Sequence, residues 1–417
     1  MAKSGTPEIT FDDRRPQTTD WKTLFITFAM LAIGLLSIYS STNSPGMGVF
    51  FERQLVYVIV GLASMFVIMY IPEHWLQVYT MPFYVLNLIL LVAVLMFGTS
   101  VYGTRGWLNI AGMSIQPGEI AKLAVIVIIA RHLAYKGRRI NNYRDFAIVM
   151  TYVLVPAFLV LREPDFGSMT VLFAVMLGIL LWVGFDLFIL YFIVSIPIVF
   201  ILSLMGAQYY FVYATAFAGT AIFFRRKIIL TVAAIGIIIA VGYASIFIYE
   251  TLPPHQKKRI DVFLNPGLDP QGAGYNVIQS IYAVGNGQIT GKGFLEGTQT
   301  QLRYIPKQWT DFIFSVPAEE FGFIGGITVL GLLVMLMMRA IAIAQETRSK
   351  YMSIVCIGGA SLLFYHTLIN IGMAIGLMPV MGIPLPFISS GGSSLVVNMV
   401  IVGFMLNAYR AHRKPKD

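Results

Sequence analysis

The chain has 417 residues, of which 57% are hydrophobic and only 12% are charged, and its mean hydropathy is +0.76. Because soluble domains carry about twice that charged fraction, the composition excludes an ordinary soluble protein. The formal net charge of +9 fits the basic cytoplasmic loops of a membrane protein better than a nucleic-acid-binding surface, so no nucleic acid is expected as a partner. The single cysteine, Cys356, excludes an intrachain disulfide.

Twelve apolar runs follow one another along the chain, and each ends in charged residues, proline or glycine. They cover residues 23–41, 54–71, 79–98, 118–134, 146–161, 168–184, 187–206, 209–224, 228–249, 322–343, 353–375 and 391–409. A helix of roughly 20 apolar residues crosses a bilayer, and only helices satisfy their own backbone hydrogen bonds in lipid. The predicted fold class is therefore an all-α integral membrane protein, a polytopic helical bundle with twelve spans. Ten spans remain the alternative if 187–249 holds one span plus surface helices.

Positive charge predicts the orientation of the bundle. Most of the 29 Lys and Arg residues lie in four segments: the polar tail 1–22, the loop around 131–144, the FFRRK cluster at 225–227 and the tail 410–417. The positive-inside rule places such segments, and hence both termini, in the cytoplasm. The transmembrane domain then covers 23–409, begins with a retained span rather than a signal peptide, and has one large extracytoplasmic loop at 250–321. If residues 225–227 lie in the cytoplasm, the segment 187–249 must cross the membrane three times.

Three regions are too irregular to be simple connectors: 101–122, 250–321 and 378–394. Within the second, YNVIQSIYAVGNG has four apolar or aromatic residues at helical spacing, namely Tyr275, Ile278, Ile281 and Tyr282. This spacing predicts a short helix that lies on the membrane or is folded into the bundle. The third region, MPVMGIPLPFISSGGSS, predicts a broken or re-entrant segment that lines a cavity or is covered by protein. His366 and Asn370, one helical turn apart just before it, are explained by hydrogen bonds inside the bundle.

Charged residues in apolar surroundings are the first candidates for function. Glu119 and Lys122 are three residues apart at a helix start and share a face. They either neutralise each other so that the helix can enter the membrane, or line a polar cavity. Arg162, Glu163 and Asp165 in LREPDFGS are interpreted as a self-paired turn between two helices rather than as chemistry.

Two basic features of the long loop are candidates for binding: a group of three residues and an isolated lysine. The group at 257–259 is interpreted as a contact with anionic lipid headgroups of the membrane, with a phosphorylated ligand as the alternative. Lys292 stands between two glycines in GKGF and is predicted to be exposed and mobile. The rest of a phosphate-binding Walker loop is absent from the sequence.

Asp311 stands in KQWTDFIFSVPAEE, an aromatic cluster beside a membrane-length apolar run. One interpretation is an N-cap for a helix beginning near 312, since Asp is among the best caps, with Glu319 and Glu320 in that helix's first turns, where the dipole favours acids. The other interpretation is chemistry, because an acid in such surroundings is costly without a partner. The chain has no zinc-type His/Cys spacing, no Ser/His/Asp pattern and no dinucleotide fingerprint. Any metal is therefore expected to be a hard divalent cation, Mg²⁺ or Mn²⁺, on carboxylates.

Taken together, the motifs resemble the SEDS family of shape, elongation, division and sporulation proteins. They are YGTRGWLNIAG followed by QPGEIAK, EPDFGS, NPGLDPQGAGYNVIQS, GKGFLEGTQTQLRYIPKQWTDFIFSVPAEEFGFIG and NIGMAIGLMPVMGIPLPFISSGGSS. The resemblance runs from about residue 20 to about residue 410 and leaves out 187–249. GTQTQL before TDFIFSVPAEE, together with GIPLPFIS, is more similar to the rod-shape branch (RodA) than to the division branch (FtsW).

The resemblance implies a peptidoglycan glycosyltransferase that polymerises lipid II at the outer face of the bacterial cytoplasmic membrane. It implies a ten-span core, so that 187–249 holds two extra spans, and a class B penicillin-binding protein (a transpeptidase) as partner. The aspartate of the family's TDF motif, its catalytic residue, falls on Asp311. The pair that lines the family's central cavity falls on Glu119 and Lys122, and two further motif residues fall on Arg105 and Lys292.

The sequence departs from the family at a few motif positions. The family usually has Ser or Ala at Gly118, Gln at Glu163, Glu at Lys307, His at Trp309 and Tyr at Ser390. Because Asp311, Glu119 and Lys122 all match, activity is expected. Lys307 and Trp309 flank Asp311 and are expected to alter its surroundings.

The implied reaction joins an acceptor hydroxyl to the anomeric carbon of a sugar on undecaprenyl diphosphate and expels the diphosphate. It needs a carboxylate to take the hydroxyl proton, and positive charge or a divalent cation to stabilise the leaving diphosphate. We expect Asp311 to be the general base or a cation-bound orienting group, and Arg105, Lys122 and Lys292 to bind phosphate.

Three alternatives remain: a lipid II flippase or transporter, a division-branch polymerase, and a scaffold that only activates its partner. Transporters keep polar groups near the midplane of the membrane. Here most of the polar motifs lie at the outer ends of the predicted spans, which favours chemistry there.

Overall fold

The computed structural model describes residues 19–43, 47–101, 104–110, 113–135, 143–224, 228–252, 254–269, 272–306 and 308–412. The basic cluster at 225–227, Lys307 and most of both terminal tails lie outside these described residues.

Sixteen helices occupy most of the described chain. They are α1 (Trp21–Thr42), α2 (Gly48–Tyr70), α3 (Glu73–Phe97), α4 (Pro117–Ala134), α5 (Tyr143–Arg162), α6 (Phe166–Trp182), α7 (Leu187–Met205), α8 (Ala207–Phe223), α9 (Ile228–Thr251), α10 (Pro254–Leu264), α11 (Ala273–Asn286), α12 (Thr298–Gln301), α13 (Ser315–Glu320), α14 (Gly322–Glu346), α15 (Lys350–Ala374) and α16 (Gly392–His412).

The twelve apolar runs coincide one to one with helices α1–α9 and α14–α16. Nine of the helices in the described part of the chain are long and apolar enough to cross a membrane. The three others are α4, which carries Glu119, Lys122 and Arg131, and α6 and α8, which have 17 residues each. The predicted polytopic helical bundle is confirmed. Among the described residues, helix length and composition alone identify nine spans instead of the predicted twelve, because these three helices are too short or too charged.

Side-chain caps fix several helix starts. Asp165 accepts a hydrogen bond from Ser168 N at 2.9 Å at the start of α6, and Asp186 accepts one from Phe188 N at 3.0 Å at the start of α7. A carboxylate before an apolar run satisfies backbone N–H groups that lack an intrahelical partner. The junctions between consecutive spans are therefore encoded locally.

Helix α15 lies at the centre of the main bundle, where it packs against α4, α6, α14 and α16. In its most apolar stretch 72% of the residues are buried inside the protein, compared with 28% for α2 and α3. Polar side chains on α15 are consequently surrounded by protein rather than by lipid.

Helices α7, α8 and α9 form a unit with its own small core. Its buried members are Phe188, Val199, Tyr210, Phe217, Ala221, Ala234 and Ile238. Inside the unit Tyr213 Oη donates to Ser195 Oγ at 2.9 Å, and Ser203 hydrogen-bonds Ser245. Its links to the main bundle are made chiefly by α6 and α7, so this segment is an addition to the bundle rather than part of its centre.

The irregular region predicted at 101–122 contains most of a small antiparallel sheet, which the all-α prediction missed. Its strands are β1 (Thr99–Val101), β2 (Thr104–Ile110) and β3 (Met113–Ile115), in the order β1-β2-β3. The chain then enters α4 directly through Pro117 at the first helical position. The sheet therefore lies over the start of α4.

The long loop 250–321 is folded and includes α10 to α13 and a 3₁₀ helix, Pro266–Leu268. The helix predicted from YNVIQSIYAVGNG is present as α11 and is folded into the bundle, since Ser280 Oγ donates to Ala374 O at 2.8 Å. The residues that α11 buries against the protein are Val277 and Ala283, whereas Ile281 and Tyr282 of the predicted face are exposed.

Candidate functional site

The two oppositely charged residues of α4 are buried together. Lys122 Nζ lies 2.7 Å from Glu119 Oε1 and 3.3 Å from Nε2 of His366 on α15. The exposed fraction is 4% for Glu119 and 1% each for Lys122 and His366. A charge buried this deeply persists only with hydrogen-bonded partners, and here they come from two helices.

Asp311 lies in a turn before α13, at the end of the bundle where α15 ends and α4 and α16 begin; this end is called the Asp311 end below. Asn370 of α15 donates one amide N–H to the backbone oxygen of Asp311 at 2.9 Å and another to Ile383 O at 2.8 Å. The half-buried carboxylate of Asp311 faces Gly382, with Oδ2 at 4.0 Å from the Cβ position of that glycine. One amide of α15 therefore holds the aspartate against the irregular segment.

The same turn is tied to the segment 375–391 at two further points. Ser389 Oγ donates to Thr310 O at 2.7 Å, and Ser390 N donates to Trp309 O at 2.8 Å. The segment between α15 and α16 is not helical, and Ile383 and Ile388 within it are fully covered by protein. The broken segment predicted at 378–394 is confirmed, and its position is beside Asp311.

The interpretation of Asp311 as a helix cap is wrong. The following helix, α13, begins at Ser315, and its N-cap position is Phe314, with no side-chain cap. Glu319 and Glu320 lie in the last turn of α13 rather than in its first turns, so the helix dipole does not favour them there. The reason for an acid at 311 therefore lies outside capping.

Glu319 instead organises the loop before it. Its carboxylate is fully buried and accepts hydrogen bonds from Gln299 N at 2.8 Å, Thr300 N at 3.0 Å and Thr300 Oγ1 at 2.8 Å. Lys292 Nζ lies 3.7 Å from Glu319 Oε1 and donates to Thr298 Oγ1 at 2.5 Å. Lys292 was expected to be exposed and mobile, but its side chain is only 29% exposed and held by these partners.

Glu320 lies beside this cluster and ties the loop to α1. Its Oε1 accepts hydrogen bonds from Ser40 Oγ and from Leu295 N, whereas Oε2 has no partner. Burial raises the pKa of Glu320, and the hydrogen bonds from Ser40 and Leu295 act in the opposite direction.

A second pair of acids lies at the turn between α5 and α6. Glu163 is fully buried, and neither of its carboxylate oxygens has a hydrogen-bond partner. Burial, and then the negative charge of Asp165, raise the pKa of Glu163 to about 8. Asp165 caps α6 through Oδ1 and accepts a hydrogen bond from Gln116 Nε2 at 3.1 Å through Oδ2. The interpretation of this turn as self-paired is therefore wrong for Glu163.

This acidic turn lies on the same wall as Asp311. A Cβ at Gly167 would lie 2.5 Å from Met381 O and 3.5 Å from Asp165 Oδ1, so only glycine permits α6 to approach the irregular segment this closely. Met381 is the chain neighbour of Gly382, which faces Asp311. Gln116 N, just before α4, also donates a hydrogen bond to Ser393 Oγ at 3.0 Å.

The structure brings only some of the predicted site residues together. Glu119 and Lys122 pair on α4, and Asn370, one turn from His366 on α15, links this helix to Asp311. Lys292 belongs to the separate Glu319 cluster. Arg105 is placed on β2, but its side chain is outside the described part of the structure.

Sequence reasoning assigned His366 and Asn370 to ordinary bundle hydrogen bonds. The structure places both in the candidate site, one on Lys122 and the other on the backbone of Asp311. Their spacing of one helical turn, directly before a broken segment, was the available signal.

The described residues contain no group of three or more His, Cys, Asp or Glu that could hold a metal ion. Mg²⁺ is commonly bound through one or two carboxylates together with phosphate oxygens of a substrate. Asp311 could therefore ligate a cation only with the help of a bound phosphate or diphosphate.

An apolar cavity of about 570 Å³ lies far from Asp311, at the opposite end of the bundle. Its walls include Ile71 and Trp75 at the junction of α2 and α3, Leu123 of α4, and Val400 and Phe404 of α16. With almost no polar lining, this cavity suits a hydrocarbon chain and offers nothing for acid–base chemistry.

Comparison with known proteins places residues 21–414 in one family. The model of a family described as a cell cycle protein, named for FtsW, RodA and SpoVE, matches residues 21–220 and 217–414. The peptidoglycan glycosyltransferase RodA of Treponema pallidum is 31% identical over 419 residues, which cover 93% of this chain and 96% of the relative. MrdB of Escherichia coli K12, also named a peptidoglycan glycosyltransferase, is 31% identical over 94% of this chain and 93% of its own. Stage V sporulation protein E of Bacillus subtilis is 33% identical over 94% of this chain and 96% of its own.

Solved structures share the fold. A chain of a peptidoglycan synthase complex, described as coordinating polymerisation and crosslinking, superimposes with a TM-score of 0.69 at 28% identity and covers 94% of this chain and 98% of that one. The rod-shape-determining protein RodA of Thermus thermophilus superimposes with a TM-score of 0.63 at 23% identity, covering 95% and 99%. The second likeness supports the fold alone.

Proposed function

Since the chain belongs to the FtsW/RodA/SpoVE family of cell cycle proteins, we propose that it polymerises lipid II into glycan strands as a peptidoglycan glycosyltransferase of the rod-shape type. Two relatives that match more than nine-tenths of the chain carry that activity in their names. The observation that carries the proposal is the position of Asp311, held by Asn370 and the irregular segment near a buried lysine.

Asp311 is the proposed general base. It would accept the proton of the acceptor hydroxyl as that oxygen attacks the anomeric carbon of the lipid-linked sugar, and the diphosphate leaves with the bonding electrons. A positioned base of this kind contributes roughly 10²–10⁴ in rate. The bonds from Asn370 and Ser389 to the turn fix its backbone, so that the carboxylate does not have to be ordered during the reaction.

Lys122 is a proposed electrostatic partner of the leaving diphosphate, with Glu119 and His366 holding its ammonium group in place. Arg105 and Lys292 are proposed as further phosphate-binding residues. Lys292 would have to exchange its contact with Glu319 for the substrate. A divalent cation, Mg²⁺ or Mn²⁺, is proposed as cofactor, since it would offset the charge that develops on the diphosphate.

The protein is a multi-pass membrane protein. We place both termini in the cytoplasm and the Asp311 end at the outer face, because most of the basic residues then lie inside. A class B penicillin-binding protein is the proposed partner, supported by the likeness to a chain of a complex that couples polymerisation to crosslinking.

The decisive experiment compares purified wild type with Asp311→Asn in lipid II polymerisation, with and without Mg²⁺ or Mn²⁺. The amide keeps the shape of the side chain and removes its charge, so the variant is expected to fold and to lose activity by about 10²–10⁴. Both proteins should elute as monodisperse species, and Asp261→Asn in α10 is the matched control that should stay active.

Near-normal polymerisation by Asp311→Asn would contradict the role of Asp311 as general base and favour the scaffold or transporter alternatives. The rod-shape assignment has its own test, which is complementation of cells depleted of their elongation polymerase or of their division polymerase. Rescue of division alone would contradict it.

A further inference from the structure

Two aromatic side chains meet beside the turn that carries Asp311. Trp309 stands two residues before Asp311, and its ring centre lies 5.0 Å from that of Phe50, with the ring planes 37° apart. Phe50 belongs to the first turn of α2, so the contact joins the start of a membrane-spanning helix to this turn. The two rings are called the aromatic platform below.

The turn holds the indole ring of the platform in a fixed place. Ser390 N donates to the backbone oxygen of Trp309 at 2.8 Å. Ser389 Oγ donates to the next carbonyl oxygen, that of Thr310, at 2.7 Å. The ring itself packs on one side against the buried core of the main bundle. A side chain held in this way has little conformational freedom left to lose when a ligand binds to it.

Part of the platform remains accessible to a ligand. Phe50 is 37% exposed, and Trp309 is half-buried. In the described structure Nε1 of Trp309 makes no hydrogen bond, whereas Nε1 of Trp182 in α6 donates to Ser353 Oγ at 3.1 Å. The platform therefore offers an apolar surface together with one N–H donor that is available to a bound molecule.

These properties match a sugar ring better than a hydrocarbon chain. One face of a pyranose consists of C–H groups, which pack on an aromatic ring, while the hydroxyl groups at its edge need polar partners. Tryptophan supplies both a large apolar ring and an N–H. A hydrocarbon chain needs apolar contact along its whole length, but the chain neighbours of Trp309 are Gln308, Thr310 and the acid Asp311.

The spacing along the chain also fits a sugar. Two residues of extended chain span at most about 7 Å, so Trp309 and Asp311 lie within the length of a disaccharide. A sugar on the platform can thus present its own hydroxyl, or that of the adjoining ring, to the carboxylate.

We propose that Trp309 and Phe50 bind the sugar that carries the attacking hydroxyl, by stacking against the C–H face of its ring. This inference rests on the proposed function and names the residues that hold the acceptor beside Asp311. It also gives a role to the departure at Trp309, where the family usually has the smaller and more polar histidine. This chain should therefore depend more strongly on stacking to hold its acceptor.

The test measures sugar binding without polymerisation. The probe is chitotetraose, a lipid-free chain of four N-acetylglucosamine units, titrated into the purified wild type by isothermal calorimetry with no donor present. Trp309→Leu removes the stacking surface and should weaken binding by roughly three- to tenfold. Trp309→Phe keeps an aromatic ring and should retain most of the affinity. Trp309→His introduces the residue that is usual in the family, so it is expected to fold and to bind more weakly than Trp309→Phe.

Two further variants make the result specific. Phe50→Leu keeps the apolar character of the side chain and removes its ring, so it should also weaken binding. Trp21→Leu is the matched control, because Trp21 is 75% exposed at the start of α1, at the opposite end of the bundle. It should bind chitotetraose as the wild type does. All variants should elute as monodisperse species.

Kinetics supply a second readout. In lipid II polymerisation Trp309→Leu should raise KM with a smaller effect on kcat, because it removes a binding contact and leaves the proposed base in place. Asp311→Asn should lower kcat instead. A loss of kcat alone in Trp309→Leu would contradict a role in binding the acceptor.

Three results overturn the proposal: no binding of chitotetraose by the wild type, equal binding by the wild type and Trp309→Leu, or an equal loss in Trp21→Leu. Undecaprenyl phosphate, which has the lipid tail but no sugar, should bind equally well to the wild type and Trp309→Leu. Weaker binding of this lipid by the variant would assign the platform to the tail. None of these outcomes changes the result for Asp311→Asn, so failure here is distinguishable from failure of the proposed function.

Discussion

Lys122 illustrates at the scale of one residue why a buried charge is seldom present for stability alone. Its ammonium group is hydrogen-bonded by Glu119 and lies 3.3 Å from His366. Removing two charges from water costs about as much as their attraction returns. An apolar pair of similar volume would fold equally well, which supports the proposed role of Lys122 in binding a phosphate group.

This argument predicts a non-additive effect on stability. Glu119→Gln alone leaves Lys122 buried without its counter-charge and should destabilise the protein by roughly 3–5 kcal/mol. The double variant Glu119→Gln with Lys122→Met should recover most of that loss, yet remain inactive in lipid II polymerisation. Thermal unfolding in detergent measures the first effect and the polymerisation assay the second. Recovery of activity in the double variant would show that the pair is structural.

Glu320 gives a prediction for pH, because burial raises its pKa above the ordinary value of 4.5. The unfolded chain releases this proton near pH 4.5, whereas the folded protein holds it to higher pH. The contribution of Glu320 to stability is therefore complete below pH 4.5 and is lost as the pH rises through the folded-state pKa. The melting temperature of the wild type should fall over this range relative to that of Glu320→Gln.

The glutamine variant is a suitable reference because its side-chain oxygen still accepts the bonds from Ser40 and Leu295. Subtracting its melting curve removes the effects of all other titrating groups. Two results would contradict a raised pKa for Glu320. In one, the melting temperatures of the wild type and of Glu320→Gln differ by the same amount at every pH. In the other, the wild type gains stability relative to the variant as the pH rises.

At the scale of elements, the important contact is between the turn that carries Asp311 and the irregular segment 375–391. Neither forms a regular helix or strand, and Asn370 of α15 joins them through two carbonyl oxygens. A rigid helix thus positions the turn that carries the proposed general base, which loops alone do poorly.

Asn370→Ala should consequently lower the rate of polymerisation more than it weakens substrate binding. It leaves two carbonyl oxygens without their donor, at a stability cost of about 1–3 kcal/mol. Asn398→Ala in α16 is the matched control, because neither polar atom of that buried amide has a partner, and its loss should cost little. Steady-state kinetics with lipid II separate rate from binding. Equal losses of activity in the two variants would show that Asn370 acts on stability only.

Sequence reasoning succeeded for elements whose signal is local and failed where distant segments meet. The twelve apolar runs predicted twelve helices, and Pro379, Pro384 and Pro386 predicted the break before α16. The sheet at 99–115 was missed because its three strands are short and lie among Gly and polar residues. The sequence allowed Asp311 to be interpreted as a helix cap. Only the structure shows that α13 begins four residues later and that Asn370 hydrogen-bonds the backbone of the turn that contains Asp311.

At the scale of the whole molecule, the orientation predicted from the basic residues has to put Asp311 on the side of the membrane where the proposed reaction takes place. Lipid II polymerisation at the outer face requires Asp311 on that side. Helices α14 and α15 connect through Arg348 at the end of the bundle opposite Asp311, whereas the loop containing Glu296 lies at the Asp311 end, where Leu295 N donates to Glu320. These two exposed positions therefore report on opposite faces of the membrane.

The last prediction concerns this orientation. In a Cys356→Ala background, which removes the one buried thiol, single cysteines are introduced as Glu296→Cys, Arg348→Cys or Lys227→Cys. A membrane-impermeant thiol reagent applied to intact cells should label the first and leave the other two unlabelled until the cells are opened. The reason is that the basic residues near 225–227 and 348–350 are expected to remain in the cytoplasm.

The three reporters separate two possible errors. Labelling of Arg348→Cys in intact cells would show that the whole bundle has the opposite orientation, with Asp311 on the cytoplasmic side. That orientation contradicts polymerisation at the outer face. Labelling of Lys227→Cys alone would leave the main bundle as assigned and change only the path of α7–α9. Because that unit has its own core and few links to the central helices, such a result would alter the span count without moving the proposed catalytic site.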